Sequence, residues 1–347
     1  MSTQKAIIVT SPHQEGLVTD RPIPSLRDDY VLIKTVCVAL NPTDWKHIKF
    51  LAPPGCLIGC DYSGTVEAVG KNVTKFKKGD RVCGFVHGGN AVQPEDGAFA
   101  EYIVAKADLQ GHIPKGLSFQ EASTLGVGIY TVGQGLYQSL QLAWPDKPID
   151  TATPILIYGG STATGTLAIQ FAKLSGYHVI TTCSPRNFDY VKSLGAHHVV
   201  DYNAPDAAAS IREYTKDSLQ LAFDTISLES SAKFCDASLS TKGGDYSALL
   251  AVGIDRENVK DRWTLAYTVV GEEFTFGNQP WPAKPEDKEF AEKFWPVASK
   301  LLSEGKVKVH NVKVNPGGLN GVLEGLELMR QDKVSGEKLV YNIAETS

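Results

Sequence analysis

Pro154-Ile155-Leu156-Ile157-Tyr158-Gly159-Gly160-Ser161-Thr162-Ala163-Thr164-Gly165 decides how the middle of this 347-residue chain folds. An apolar strand runs into a cluster of small residues, and a helix starts at once, with Leu167, Phe171 and Leu174 on one face. Small residues let the backbone approach a pyrophosphate. The first turn of the helix offers free N–H groups and a partial positive charge. A strict GxGxxG is absent, although Gly160 and Gly165 keep the interval of its last two small positions. The same residues also read as a tight strand–helix turn that holds no ligand.

The surroundings favour the ligand. Strands are expected at 177–182, 197–200, 219–224 and 246–250, and a helix at 186–194. Strands separated by helical segments imply parallel βαβ units with right-handed crossovers. Before residue 120 the pattern differs. Short runs at 30–40, 64–69, 81–85 and 98–105 are broken by Gly, Pro, Asn and Asp, which suggests a small antiparallel barrel. After residue 276 come a stretch rich in Pro and charge, helices at 288–304 and 319–330, and a strand at 338–343. The expected organisation is a substrate domain from 1–120 with 278–347, and a doubly wound cofactor domain from 121–277.

Composition narrows the class. With 42% hydrophobic and 21% charged residues the chain reads as globular, and its net charge of -5 argues against nucleic acid as the main partner. No run approaches the roughly 18 apolar residues that span a bilayer, and the first residues do not read as a signal peptide. Cysteines at 37, 56, 60, 83, 183 and 235 form no CxxC pair, so neither a disulfide framework nor a four-cysteine zinc lobe is expected. A cytoplasmic location follows.

The second strand of the doubly wound part speaks to the cofactor. An acid usually ends it where a ribose 2′-hydroxyl is held. Here it ends Thr181-Thr182-Cys183-Ser184-Pro185-Arg186-Asn187, with no carboxylate. Ser184 and Asn187 can donate hydrogen bonds to a 2′-phosphate and Arg186 adds a cation, so NADPH is expected. A Ser-Pro helix start with an exposed arginine is the plain alternative.

Asn41-Pro42-Thr43-Asp44, Ile58-Gly59-Cys60-Asp61-Tyr62-Ser63-Gly64, Lys78-Gly79-Asp80-Arg81-Val82 and Gly97-Ala98-Phe99-Ala100-Glu101-Tyr102 resemble the barrel motifs of the medium-chain dehydrogenase/reductase family. The resemblance implies a GroES-like β-barrel catalytic domain beside a Rossmann domain. Cys183 to Asp189, Asp201-Tyr202 and Ser335-Gly336-Glu337-Lys338-Leu339-Val340 are more narrowly similar to the trans-acting enoyl reductases of fungal reducing polyketide synthases. In that subgroup the enzyme saturates an enoyl thioester carried by a separate synthase.

Zinc enzymes of this fold place a Cys where Asn41 stands and a His-Glu pair where Cys60-Asp61 stands, so no metal is expected here. Without it, conjugate hydride addition to an activated alkene needs donors or a cation for the developing enolate. Lys46 and Thr131 are the candidate catalytic residues. Lys46 equally reads as a solvated lysine near Lys49, Thr131 as an ordinary helix threonine, and Tyr62 as a donor or a self-satisfied buried tyrosine.

The resemblance places Thr43, Asp44, Trp45, Lys46, Ser161, Thr162, Ala163, Thr164, Ser184, Pro185, Arg186, Asn187, Tyr202, Leu249, Leu250, Ser335 and Gly336 at the cofactor. Tyr202, Leu249 and Leu250 could also be core. Rival functions are reduction of quinones or free enones, and a non-catalytic NADPH-responsive binding protein. The Lys71, Lys75, Lys77 and Lys78 run reads as a solvated turn or as a dock for an acidic carrier. The Rossmann edge is expected near residues 274–276, where prolines that follow blunt pairing, so a monomer is expected.

Overall fold

The computed structural model describes residues 2–347. Two compact units emerge: residues up to Val127 together with Tyr267–Ser347, and Gly128–Ala266. Both boundaries fall inside the expected cofactor segment 121–277. Val127 N–H donates to Asp61 Oδ1 at 2.7 Å and Tyr267 OH lies 2.6 Å from Thr43 Oγ1, which ties these two residues to the first unit.

The first unit opens with an antiparallel hairpin, β1 (Thr3–Ser11) and β2 (Gln14–Pro22), which the sequence reading lacked. Then come β3 (Tyr30–Ala39), α1 (Pro42–Phe50), β4 (Asp61–Val69), β5 (Arg81–Phe85), β6 (Tyr102–Lys106) and β7 (Gln110–His112). Two short helices, α2 (Phe119–Ala122) and α3 (Gly126–Val132), lead out of it.

The second unit holds β8 (Pro154–Tyr158), α4 (Ala163–Leu174), β9 (His178–Thr182), α5 (Phe188–Leu194) and β10 (His198–Val200). It continues through α6 (Ala207–Tyr214), β11 (Leu221–Asp224), α7 (Glu229–Ser238), β12 (Gly244–Ala248) and β13 (Val259–Trp263). The chain then returns to the first unit with the hairpin β14 (Phe274–Phe276) and β15 (Gln279–Trp281). It closes with α8 (Pro285–Ser303), β16 (Val312–Asn315), α9 (Gly318–Arg330) and β17 (Lys338–Asn342).

In the first unit the main sheet runs β16-β17-β3-β4-β5-β7, with β6 also paired to β3. The β-branched run of β3 sends Val31, Ile33 and Val38 into a core with Ile7, Leu57, Val66 and Phe99. Each such side chain contributes about 1.5–3 kcal/mol by leaving water. In the second unit the order is β10-β9-β8-β11-β12-β13, parallel throughout. This is the doubly wound arrangement, whose crevice lies where the order reverses, at the carboxyl ends of β8 and β11.

One expectation is corrected. The edge of the parallel sheet is β13, and Phe274–Phe276 pairs antiparallel with Gln279–Trp281 in the first unit. Val259-Lys260-Asp261-Arg262-Trp263 hides its strand character because an edge leaves Lys260 and Asp261 in solvent.

Candidate active site

At the end of β8 the backbone turns through Gly159, whose φ of +82° suits glycine. Gly160 N–H donates to Thr182 O at 2.8 Å and Gly159 N–H to Thr182 Oγ1 at 3.1 Å, locking the turn onto β9. A Cβ on Gly165 would lie 2.2 Å from Gly159 O, so α4 starts pressed against the strand end. Thr162 caps α4: its Oγ1 accepts Gly165 N–H at 2.9 Å and bonds Thr225 Oγ1 at 2.9 Å. Thr225 in turn donates to Tyr158 O at 2.7 Å, which joins the ends of β8 and β11. Ser161, Thr162, Ala163 and Thr164 stay half-buried over this N-terminus. The cradle fits a dinucleotide pyrophosphate.

At the end of β9, Ser184 Oγ lies 3.2 Å from the Tyr202 hydroxyl, and Tyr202 is 40% exposed. Pro185 and Arg186 are exposed, Asn187 is half-buried, and Arg186 makes no ion pair among the described residues. The nearby Asp201 turns to its own loop, accepting Asn203 N–H at 3.0 Å. The structure therefore brings Ser184, Arg186 and Tyr202 around one strand end.

Behind them lies a residue the sequence reading missed. Asp224 is fully buried, and Oδ1 accepts the N–H groups of Ile226 and Ser227, both at 2.9 Å. Its Oδ2 accepts Ser231 Oγ at 2.6 Å and Tyr246 OH at 2.8 Å. Ser227, held at φ +58°, accepts Leu249 N–H at 2.7 Å. Leu249 and Leu250 thus sit in the bend just beyond β12 rather than in it, Leu250 with 40% of its surface in solvent. Thr131 is buried near the end of α3.

In the first unit, Pro42 and the cap residue Asn41 start α1. Asp44 points inward: Oδ2 accepts Asn41 N–H at 2.7 Å, and burial pushes its carboxyl up to about 7. Its side chain is spent on the cap. Trp45 and Lys46 are half-buried on the opposite side, with Lys46 Nζ 5.8 Å from the Trp45 ring centroid. Burial lowers the Lys46 pKa. Thr43 Oγ1 lies 2.6 Å from Tyr267 OH and 3.1 Å from His47 Nδ1. Ser335 and Gly336 precede β17, where Gly336 O accepts Asn311 Nδ2 at 3.0 Å.

Tyr62 is buried and donates its hydroxyl to Gln110 Oε1 at 2.7 Å, the satisfied role. In the lysine run, Lys71 pairs with Asp28 and Lys78 with Glu67, while Lys75 donates to Gln110 O. Sequence reasoning also missed His47 and Tyr267, buried together with His87 under Phe274 and Phe276. Their only signal was the aromatic spacing at 267, 274 and 276.

A second cluster decides the metal question on its donors. Lys338 Nζ, 3% exposed, donates to Asn41 Oδ1 at 2.6 Å and to Asp61 Oδ2 at 2.7 Å. Asn41 Nδ2 donates to the same Oδ2 at 2.9 Å, and Val127 N–H takes Oδ1. An ammonium ion already neutralises the carboxylate beside Cys60. Among the described residues no group of three or more His, Cys, Asp or Glu could hold a metal ion. These residues do not fit a zinc ion.

A barrel-type unit and a doubly wound unit of this order define an oxidoreductase of the medium-chain dehydrogenase/reductase class. Residues 27–115 match the Alcohol dehydrogenase GroES-like domain and residues 163–260 the Zinc-binding dehydrogenase family. The chain is 65% identical over 286 residues to Trans-enoyl reductase TOXD of Cochliobolus carbonum, covering 81% of this chain and 96% of that protein. It is 51% identical to Trans-enoyl reductase resD of Aspergillus sclerotiorum, covering 98% of this chain and 100% of that one. The chain belongs to the trans-enoyl reductases. A solved quinone oxidoreductase from Coxiella burnetii superposes with a TM-score of 0.75 at 25% identity, over 98% of this chain and 99% of that chain. The fold class carries a nicotinamide cofactor. No helix among the described residues is long and apolar enough to cross a membrane.

Proposed function

We propose that the chain reduces the α,β-double bond of an enoyl thioester carried by a separate polyketide synthase, with NADPH as reductant. The observation that carries this reading is its 65% identity to a trans-enoyl reductase across most of the chain. A bound reduced nicotinamide supplies the hydride that adds to the β-carbon. The protein's own work is to bind, orient and meet the developing charge. Thr162 to Thr164 and the α4 N-terminus hold the pyrophosphate. Ser184, Arg186 and Asn187 hold the 2′-phosphate, with Tyr202 against the adenosine and Leu249 and Leu250 against the nicotinamide half. Trp45, Ser335 and Gly336 also meet the cofactor, with Pro185 and Ala163 contributing backbone, and Asp44 acts through the cap of α1.

Lys46 supplies a cation and Thr131 a hydroxyl for the enolate oxygen, the interactions that lower the barrier once charge moves there. The protein works as a monomer, its β13 edge blunted by Lys260 and Arg262. Six free, buried cysteines suit a reducing cytoplasm.

The direct test is NADPH oxidation against enoyl thioesters, free enones and quinones, with saturated ketones as control. Selective turnover of thioesters is expected. Turnover of quinones alone would transfer the assignment to a general quinone reductase, and silence on every acceptor would favour a binding role.

A second expectation concerns the cofactor. Arg186→Ala should raise KM for NADPH by about 10-fold, the worth of one charge-assisted contact on a partly exposed site, and leave KM for NADH unchanged. Equal effects on both cofactors would remove Arg186 from the 2′-phosphate.

A further inference from the structure

Three polar side chains of the first unit stand in a row, and only the last of them is half-buried: Cys60, Tyr267 and Thr43. Cys60 Sγ lies 3.5 Å from the Tyr267 hydroxyl, which lies 2.6 Å from Thr43 Oγ1. Cys60 and Tyr267 are 1% and 5% exposed, so bulk water does not reach the inner members.

The row has a direction, set by His47. Its Nδ1 lies 3.0 Å from the Thr43 carbonyl oxygen, which can only accept, so the Nδ1 position carries the ring proton. His47 therefore offers no lone pair to the Tyr267 hydroxyl, 3.4 Å away, or to Thr43 Oγ1. A Tyr267 O–H that donates to Thr43 Oγ1 leaves the Thr43 proton to point away from the core. Cys60 remains a thiol, because burial and the Asp44 carboxyl push its pKa up. It can donate S–H to the Tyr267 oxygen.

We infer that Tyr267 is a positioning residue that aims the Thr43 hydroxyl as proton donor to the α-carbon of the substrate. The inference rests on the enoyl reductase reading above. In the step, the electron pair of the enolate forms the new C–H bond as the Thr43 O–H bond breaks. The Thr43 oxygen recovers a proton from water on its half-buried side, and Tyr267 keeps its own proton while donating to that oxygen. No electrons enter the protein, and the hydroxide left by that water is neutralised in bulk solvent.

Tyr267→Phe tests the role with little effect on packing. The ring keeps its neighbours His87, His47 and Phe85, with centroids at 4.2, 4.8 and 5.6 Å, and loses only the hydroxyl. With the full-length protein and an enoyl thioester, kcat should fall about 100-fold, the usual worth of a placed proton donor, with KM for NADPH unchanged. Thr43→Val should match that loss and Thr43→Ser should recover most of it. The double variant Tyr267→Phe with Thr43→Val should be no slower than the slower single one, because both remove one device.

Multiplying losses, or a Tyr267→Phe enzyme within twofold of the parent, would overturn the inference. A second readout needs no turnover. In the free protein labelled at tyrosine Cζ, Thr43→Val should shift the Tyr267 resonance, and an unmoved resonance would overturn the pair. If the parent reduces no enoyl thioester, the proposed function fails while this resonance still judges the Thr43–Tyr267 bond.

Discussion

Lys338→Met should lower the unfolding free energy by about 3–5 kcal/mol, measured by urea denaturation. The methionine fills similar volume but leaves Asp61 fully buried, with no cation on Oδ2. Removing one partner of a buried pair leaves an uncompensated charge, which costs far more than the pair itself contributed. Lys338→Met combined with Asp61→Leu should therefore be more stable than Lys338→Met alone, although Asn41 and Val127 N–H then lose an acceptor. A loss under about 1 kcal/mol in the single variant would mean that solvent reaches the carboxylate. The cluster joins β4, β17, the cap of α1 and the start of α3, so local order at Thr43 and Lys46 should fall with it.

Asp224→Ala is the second large effect. Four donors converge on this carboxylate: two backbone N–H groups, Ser231 and Tyr246. Each buried donor left without a partner costs about 1–3 kcal/mol. The two hydroxyls can rotate to other acceptors and the two N–H groups cannot, so a loss of at least about 3 kcal/mol follows from that range. Asp224→Asn should cost clearly less, since its carbonyl oxygen keeps the two N–H bonds. NADPH affinity should also weaken in the alanine variant, because the 224–228 loop holds Leu249 through Ser227. Similar melting temperatures for the two variants would show that the carboxylate is not what fixes the loop.

The parallel sheet was legible because its signal is local. Ile155 to Tyr158 is buried on both faces, and the switch from strand to helical period at Gly159 to Gly165 needs no distant partner. The run at β3 was legible for the same reason. Strand β13 was not, because its charges reflect an edge position that only the assembled sheet defines. The candidate site divides in the same way. Ser184 and Arg186 follow from a missing acid at a fixed offset, whereas Lys338 meets Asp61 across 277 positions and Tyr267 meets Thr43 across 224. No periodicity encodes such pairs. Asp44 shows the converse: a sequence match named it, and the cap of α1 uses its side chain.

The return of β17 to lie beside β3 also sets a timetable for synthesis. The second unit is one continuous stretch, Gly128–Ala266, and can complete its sheet while the ribosome is still adding residues. The first unit must wait: β6 covers only Tyr30 to Lys34 of its central strand β3, and the Cys37–Ala39 end has no neighbour opposite β4 until Val340, Tyr341 and Asn342 leave the tunnel. Until then Asp61 lacks its lysine, and an early-made edge stays open to chaperones and to other nascent chains.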